Sequence, residues 1–461
     1  MPYLGNTPTT QSFISGTDYF NGTGSQTAFT LSRTVASIND IQVTVNNVVQ
    51  QPNDAYTISG TTLTMTSAPS AGTNNVYVRY LSTTTQAITP SQNTVSWNTL
   101  DSNIQQDLGV MYKNRIINGA MTFDQRNAGA SVTPSVLYST YTLDRWEANY
   151  SVGSKFSVQQ NAGAVTPPVG FTNYLGVTSL SNYAISAGEI FNLQYKIEGY
   201  NIADLGWGSA NAKTVTLSFW VRSSLTGTFG GSLVNSGGNR SYPFSYTIST
   251  ANTWTQASVT ITGETTGTWL TTNGIGLLLV FGLGVGSTYS GTAGAWASAN
   301  YYSATGATSV VGTNGATFYL TGVMLEVGTQ ATTFTTAGGS YGAELALCQR
   351  YFYLHASGTM RSGSVYTSIS NVAQWDGSNF YGYVQFPTTM RSTPTIYQNT
   401  GASYYIQYVA GATRNFSSFS IQDGSPTSYM LVSSAAGGTP GQAGWTETQN
   451  ASALLAFTAE L

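Results

Sequence analysis

The sequence predicts an all-β protein made of several sandwich-type domains in a row, joined by short helical connectors. Three observations predict it. Turn residues recur about every ten positions with Thr, Val, Tyr and Phe between them, the spacing of sandwiches and barrels. Apolar and polar residues alternate with period two over successive segments, so one face of each strand is buried. The length of 461 residues exceeds what one core holds, which points to about two to four domains.

The first 92 residues show the pattern most clearly. Ile41-Gln42-Val43-Thr44-Val45 alternates, Asn46-Asn47 supplies a turn, and Val48-Val49-Gln50 follows. Tyr56-Thr57-Ile58, a turn at Ser59-Gly60, Leu63-Thr64-Met65, the Pro69–Asn75 loop and the strand Val76–Leu81 complete a small sandwich over 1–92. Over 93–117 the period changes: Leu100, Ile104, Leu108, Met111 and Arg115 recur at helical spacing. Asn98 or Thr99 can cap the start, Lys113 and Arg115 suit the negative end, and Asn118-Gly119 stops the helix. Its apolar stripe either docks on a neighbouring sheet or joins a short bundle around a symmetry axis. Residues 118–338 return to strands, including Ile275–Val285, too short and glycine-rich to span a bilayer, and the central strand Phe318–Glu326. A second short helix is expected over Ala343–Phe352, with Leu345, Leu347, Cys348 and Tyr351 near one face. Strands and aromatic turns then run to 461.

Composition narrows the chemistry. Charged residues make up 7% of the chain, with a single histidine and a single cysteine, against about a quarter charged in ordinary domains. Ser, Thr, Asn, Gln, Gly and 30 Tyr keep the surface wet instead. Acid–base and metal-ligating groups are scarce, so a non-enzymatic contact surface is expected. The net charge of -3 and the absence of a polybasic run argue against nucleic acid and membrane insertion as partners. Met1–Gly5 lacks the basic and apolar regions of a secretory signal, and one cysteine cannot form an intrachain disulfide. No cofactor is called for; a structural calcium held by Asp, Asn and backbone oxygens stays open, with no ligands to assign.

Several segments resemble bacteriophage tail-fibre proteins. Asn39-Asp40-Ile41-Gln42-Val43 and Asn53–Ile58 look like the small β-module that opens many such fibres. Arg115-Ile116-Ile117-Asn118-Gly119-Ala120-Met121 with Tyr141–Trp146 is similar to the entry of a jelly-roll module, and Val323–Gly328 with Ala331–Phe334 to its exit. Glu344–Phe352 looks like the transition to a tip, which Phe386–Pro394 and Ala459-Glu460-Leu461 also resemble. The resemblance implies an elongated homotrimer located in the virion tail and assembled in the host cytoplasm. It implies a virion-attachment module over 1–92 that meets other tail proteins, a jelly roll like those of carbohydrate-binding modules over 118–338, and a β-sandwich tip over 339–461. A bacterial surface glycan is the implied ligand.

Sugar binding needs ring faces for pyranoses and neutral or acidic groups for hydroxyls, often on loops held by a rigid sheet. Two groups fit: Trp375, Asp376, Asn379, Tyr381 and Tyr383 in the last domain, and Trp296, Tyr301 and Tyr302 in a stretch, Thr265–Leu325, without a charged residue. Tyr404, Tyr405 and Tyr408 read mainly as half core. Asp144-Arg145-Trp146-Glu147 reads as paired charges holding the domain entrance against the helix rather than as acid and base, and Asp124 with Arg126 as a structural ion pair. Cys348 and His355 are the only pieces for a nucleophilic dyad, and no acid pair with an evident cleft suggests a glycosidase. Two other readings remain: a structural connector that docks a separate tip protein, and a polysaccharide depolymerase. Low charge also predicts contact that depends little on ionic strength.

Overall fold

The computed structural model describes residues 16–81, 113–135, 138–434 and 439–461. The chain divides into two compact units, Met1–Gln105 and Gln106–Leu461, and the described parts of both are almost entirely β.

The first unit contains β1 (Thr17–Gly22), β2 (Ala28–Val35), β3 (Ile41–Val45), β4 (Val48–Val49), β5 (Tyr56–Met65) and β6 (Gly72–Tyr80). Strands in the order β1-β6-β3-β4 form one sheet, and β2 pairs with β5. Phe29, Leu31, Val43, Tyr56, Leu63, Val76 and Val78 fill the space between them. Asn46 and Asn47 both take positive φ, 49° and 67°, as a two-residue hairpin with right-handed twist requires. The turn expected at Ser59-Gly60 does not form. Gly60 instead sits inside one long strand at φ 62°, opposite Val35, where the register shifts because residues 31–34 of β2 face only Thr61 of β5.

In the second unit, β7 (Tyr138–Tyr141), β8 (Trp146–Tyr150), β9 (Phe156–Gln160), β10 (Leu175–Ser179), β11 (Ile190–Glu198), β12 (Val215–Ser223), β13 (Gly227–Asn235), β14 (Ser241–Ile248), β15 (Thr255–Ile261), β16 (Ile275–Val285), β17 (Ser290–Gly291), β18 (Ser303–Ala304) and β19 (Thr317–Val327) build a sandwich. Sheets of order β15-β12-β19-β10-β9 and β14-β13-β16-β11-β8-β7 share one core that includes Trp146, Phe219, Leu279, Phe281 and Leu320. Both β16 and β19 lie inside their sheets and are buried almost throughout, which is why they read as continuous apolar runs instead of alternating ones.

The helix expected over 93–117 lies largely outside the described residues, and Leu100, Ile104, Leu108 and Met111 with it. Its last residues are described and are not helical. Arg115 N–H donates to Leu325 O (3.0 Å), and buried Asn114 accepts from Ile116 N–H and Leu325 N–H and donates to the carbonyls of Val323 and Thr335. Lys113 pairs with Glu326 at 3.3 Å. Burial of Ile116 and Ile117 in the sandwich core outweighs local helix propensity here.

Helix α1 spans Tyr341–Gln349, capped by the Ser340 hydroxyl, which accepts from Ala343 N–H. It starts earlier and stops sooner than expected, because Phe352 opens the next strand. Cys348 and Tyr351 join the sandwich core, and buried Glu344 accepts from the N–H groups of Asn118 and Gly338.

Beyond it come β20 (Phe352–Ser357), β21 (Ser368–Gln374), β22 (Asn379–Gln385), β23 (Thr395–Gln398), β24 (Tyr405–Val409), β25 (Ala412–Phe416), β26 (Phe419–Gly424), β27 (Ser428–Ser434), β28 (Ala443–Thr448) and β29 (Leu454–Thr458). They form a three-stranded sheet, β20-β29-β23, and a seven-stranded one, β25-β24-β28-β21-β22-β27-β26. Phe386, Tyr405, Phe416, Phe419, Leu431 and Phe457 make their core.

Buried charges tie the end of the chain to the sandwich. Glu460 accepts from Arg126 (3.1 Å) and from Arg145, Arg350 pairs with Glu198 at 2.7 Å, and Lys196 with Glu147 at 2.9 Å. Among the described residues the charge-rich interval therefore grips the C-terminal segment, while the connector helix expected to meet it lies largely outside the described residues. Arg126 also does not pair with Asp124 as expected. The Asp124 oxygens are taken by the N–H groups of Asn127 and Gly129, while nearly buried Arg126 needs a full counter-charge and finds it in Glu460.

Candidate functional site

The outer face of the seven-stranded sheet concentrates exposed rings. Along β22 burial alternates strictly: Phe380, Gly382 and Val384 face the core, while Tyr381, Tyr383 and Gln385 face outward. Register places Ala373 opposite Tyr381, Tyr381 opposite Val432, and Tyr383 opposite Met430. On β26 a register shift between Ile421 and Asp423 sets Asp423 opposite Met430. The extra residue of such a bulge lets two consecutive side chains serve one side of a sheet, and Gln422 and Asp423 do so.

The result is a groove of about 520 Å³ lined by Ala373, Gln374, Trp375, Tyr381, Gln422, Asp423 and Met430. Trp375 stands at its end, 78% exposed. The turn beneath it is fastened by Asp376, which accepts from Ser378 N–H (2.8 Å), Asn379 N–H (2.7 Å) and the Asn379 amide (2.9 Å). The Asn379 amide and those N–H groups hold the Asp376 carboxyl below its usual range. Asn379 Oδ1 accepts in turn from the Ser434 hydroxyl. Gln374 is only 3% exposed and pairs in register with core-facing Phe380, so its side chain lies on the inner side of the sheet, away from the groove. The arrangement offers ring and thioether surface beside the Asp423 carboxylate and the Gln422 amide. It can hold a molecule with one apolar face and several hydroxyls.

Of the first predicted group, Trp375 and Tyr381 line the groove and Asp376 and Asn379 build the turn that carries Trp375. Tyr383 is exposed next to them, its hydroxyl donating to Gln385 Oε1 at 2.9 Å. Sequence reasoning missed Gln422, Asp423 and Met430, whose arrival beside Tyr381 depends on strand order and on a bulge, neither of which has a local signal.

The second predicted group is not brought together as one surface. Trp296 packs edge-on against Trp207, Trp269 and Tyr242 and its N–H donates to Thr262 O at 2.8 Å. Tyr302 lies on Tyr289 (5.6 Å) and covers Val234, Leu278 and Val280, and Tyr301 packs over Gly291. Tyr405 is buried, its hydroxyl donating to the carbonyls of Asn399 and Leu454, whereas Tyr408 faces outward and stacks on Trp445. Cys348 sits in the sandwich core, and His355 on β20 bonds the Tyr353 hydroxyl and Ile369 O, so the two are not partners. Asp144 is buried and accepts from Gln125 N–H at 3.1 Å; burial pushes its carboxyl up to about 7.

No protein-family model and no curated protein sequence matches the chain. Among solved structures, the enzymatically active domain of bacteriophage CBA120 tailspike protein 4 is similar over 47% of this chain and 22% of its own, at 12% identity and TM-score 0.24. The family 11 carbohydrate-binding module of Clostridium thermocellum, in complex with a β-1,3-1,4-mixed-linked tetrasaccharide, is similar over 43% of this chain and 96% of its own, at 12% identity and TM-score 0.22. At such TM-scores neither match decides anything about this chain, whose fold and candidate site rest on its own strands and side chains.

Proposed function

We propose that this chain is a bacteriophage tail-fibre subunit that recognises a glycan on the bacterial surface through the groove of its C-terminal sheet. The observation that carries the reading is the union of Trp375, Tyr381 and Met430 with Asp423 and Gln422 in one open groove. Ring faces take the apolar side of a pyranose, and carboxylate and amide groups take its hydroxyls. The tail-fibre-like succession of sequence segments supports the same reading, and with it a homotrimer in the virion tail whose N-terminal module meets other tail proteins. Three copies per fibre raise a weak single-site affinity through effective concentration. Among the residues that line the groove Asp423 is the one carboxylate, whereas glycoside hydrolysis uses a pair, so the groove is read as binding without cleaving. The test is binding of the purified full chain to susceptible cells. Trp375→Ala with Tyr381→Ala is expected to weaken it by about tenfold or more with the melting temperature unchanged. Undiminished binding by the double variant, or release of reducing sugar from the host polysaccharide, refutes it.

A further inference from the structure

The groove is one end of a longer face. In one rung across the sheet, Tyr408 on β24 lies beside Trp445 on β28, and Trp445 beside Asn371 on β21. Continuing along that rung, Tyr383 on β22 lies beside Met430 on β27, and Met430 beside Asp423 on β26. In the next rung Ala443, Ala373, Tyr381 and Val432 follow one another. Rings therefore stand on both sides of β21: Trp445 with Tyr408, and Trp375 with Tyr381 and Tyr383. Between them β21 presents only Asn371 and Ala373, a low floor.

Trp445 and Tyr408 are stacked, centroids 4.9 Å apart and planes at 16°, and Trp445 keeps 46% of its surface exposed. With neighbouring strands about 4.8 Å apart, Trp445 and Met430 are separated by three spacings, about 14 Å along the sheet. That is longer than one sugar ring. The charges on this face are acidic, Asp423 and Glu447. Among the described residues of these strands the one basic side chain is Arg414, which pairs in register with buried Gln407 and so belongs to the inner face. An anionic polymer would meet carboxylates with no basic counterpart.

We propose that the outer face carries a second subsite, Trp445 with Asn371, and that one linear, uncharged polysaccharide crosses the strands from Trp445 to the Trp375–Tyr381–Met430 groove. The inference rests on the groove reading above and adds the orientation, the neutrality and the minimum length of its ligand. Asn371 and the Tyr383 hydroxyl face the hydroxyls of the rings in between, with Asp423 beyond Met430 at one end and Glu447 on the Trp445 strand at the other. A glycan that spans both subsites is held by two linked contacts, so its affinity exceeds that of either piece.

The test uses the full chain, the surface polysaccharide extracted from a susceptible strain, and size-graded fragments of it. For the unaltered chain, affinity is expected to rise by about tenfold or more with fragment length and then level off. Trp445→Ala should abolish that rise while leaving the shortest binding fragments unaffected. Trp445→Phe, which keeps a ring, should retain most of it, and Trp375→Ala should weaken fragments of every length. If Trp375→Ala removes binding but Trp445→Ala changes nothing at any length, the second subsite is refuted and the groove stands. If neither variant matters, both readings fall. If Trp445→Ala changes the subunit number in light scattering and leaves binding per subunit intact, the face is a contact between copies and the inference is overturned.

Discussion

The sandwich and the C-terminal sheet use tryptophan in opposite ways. In the sandwich, Trp207, Trp269 and Trp296 meet pairwise edge-on with centroids 4.9, 5.4 and 5.5 Å apart. Each indole N–H donates to a backbone carbonyl, those of Lys213, Thr266 and Thr262. Rings so placed have spent both their faces and their donor on the fold. In the C-terminal sheet, Trp375 closes a turn through its backbone, its N–H donating to Asn379 O, while its ring stays in solvent. An aromatic residue is a recognition candidate when much of its ring stays in solvent after its structural duties are met. The carboxylates repeat the contrast: Asp144 is buried and driven toward its neutral form, while half-buried Asp376 is held ionised by the groups it caps.

The largest effect expected from this contrast is on stability. Trp269→Ala should cost about 3–5 kcal/mol, as large aromatic deletions in cores do, whereas Trp375→Ala should stay within about 0.5 kcal/mol. Denaturant midpoints of the two variants measure the difference, and similar losses would break the comparison. A smaller effect comes from Asp144. Its folded value, about 7, lies above the unfolded 3.8, so the folded chain binds the extra proton between those values. Stability from this group is present below about pH 4 and lost as pH rises through 7. Asp144→Asn should flatten that part of the stability–pH curve, and an unchanged slope would assign the titration elsewhere. The smallest effect is at Tyr246, whose buried hydroxyl has no partner and whose ionisation burial opposes. Tyr246→Phe should leave stability equal or raise it by about 1 kcal/mol, seen as a small rise in melting temperature; a loss would reveal a partner for the hydroxyl.

Much of the fold is legible in local pattern. The alternation in Ile41–Val45 and the Asn46-Asn47 turn were readable because period two and left-handed tolerance are local properties. The run Ile275–Val285 was readable as a buried strand because burial on both faces leaves no polar alternation. Ser59-Gly60 misled because a glycine marks a bulge and a turn equally well, and only the partner strand selects between them. Lys113 to Asn118 misled for a related reason: the spacing is helical, but the Asn114 side chain finds backbone partners at Val323, Leu325 and Thr335, far along the chain, as well as at Ile116, worth more than a helical turn.

The candidate site divides along the same line. Composition pointed to the chemical type: few charges and many tyrosines favour ring faces and mostly neutral hydrogen bonds for any contact, wherever the rings end up. Which rings do so was decided by tertiary structure. Trp296 and Trp375 are equally prominent in the sequence, yet one is enclosed by two other indoles and the other is held in water by a four-residue turn. Asp423 and Met430 join Tyr381 because β27 pairs onto β22 and β26 onto β27 with a one-residue bulge. Such neighbours are separated by some forty positions in the chain, and only sheet register, a property of strands together, brings them within reach.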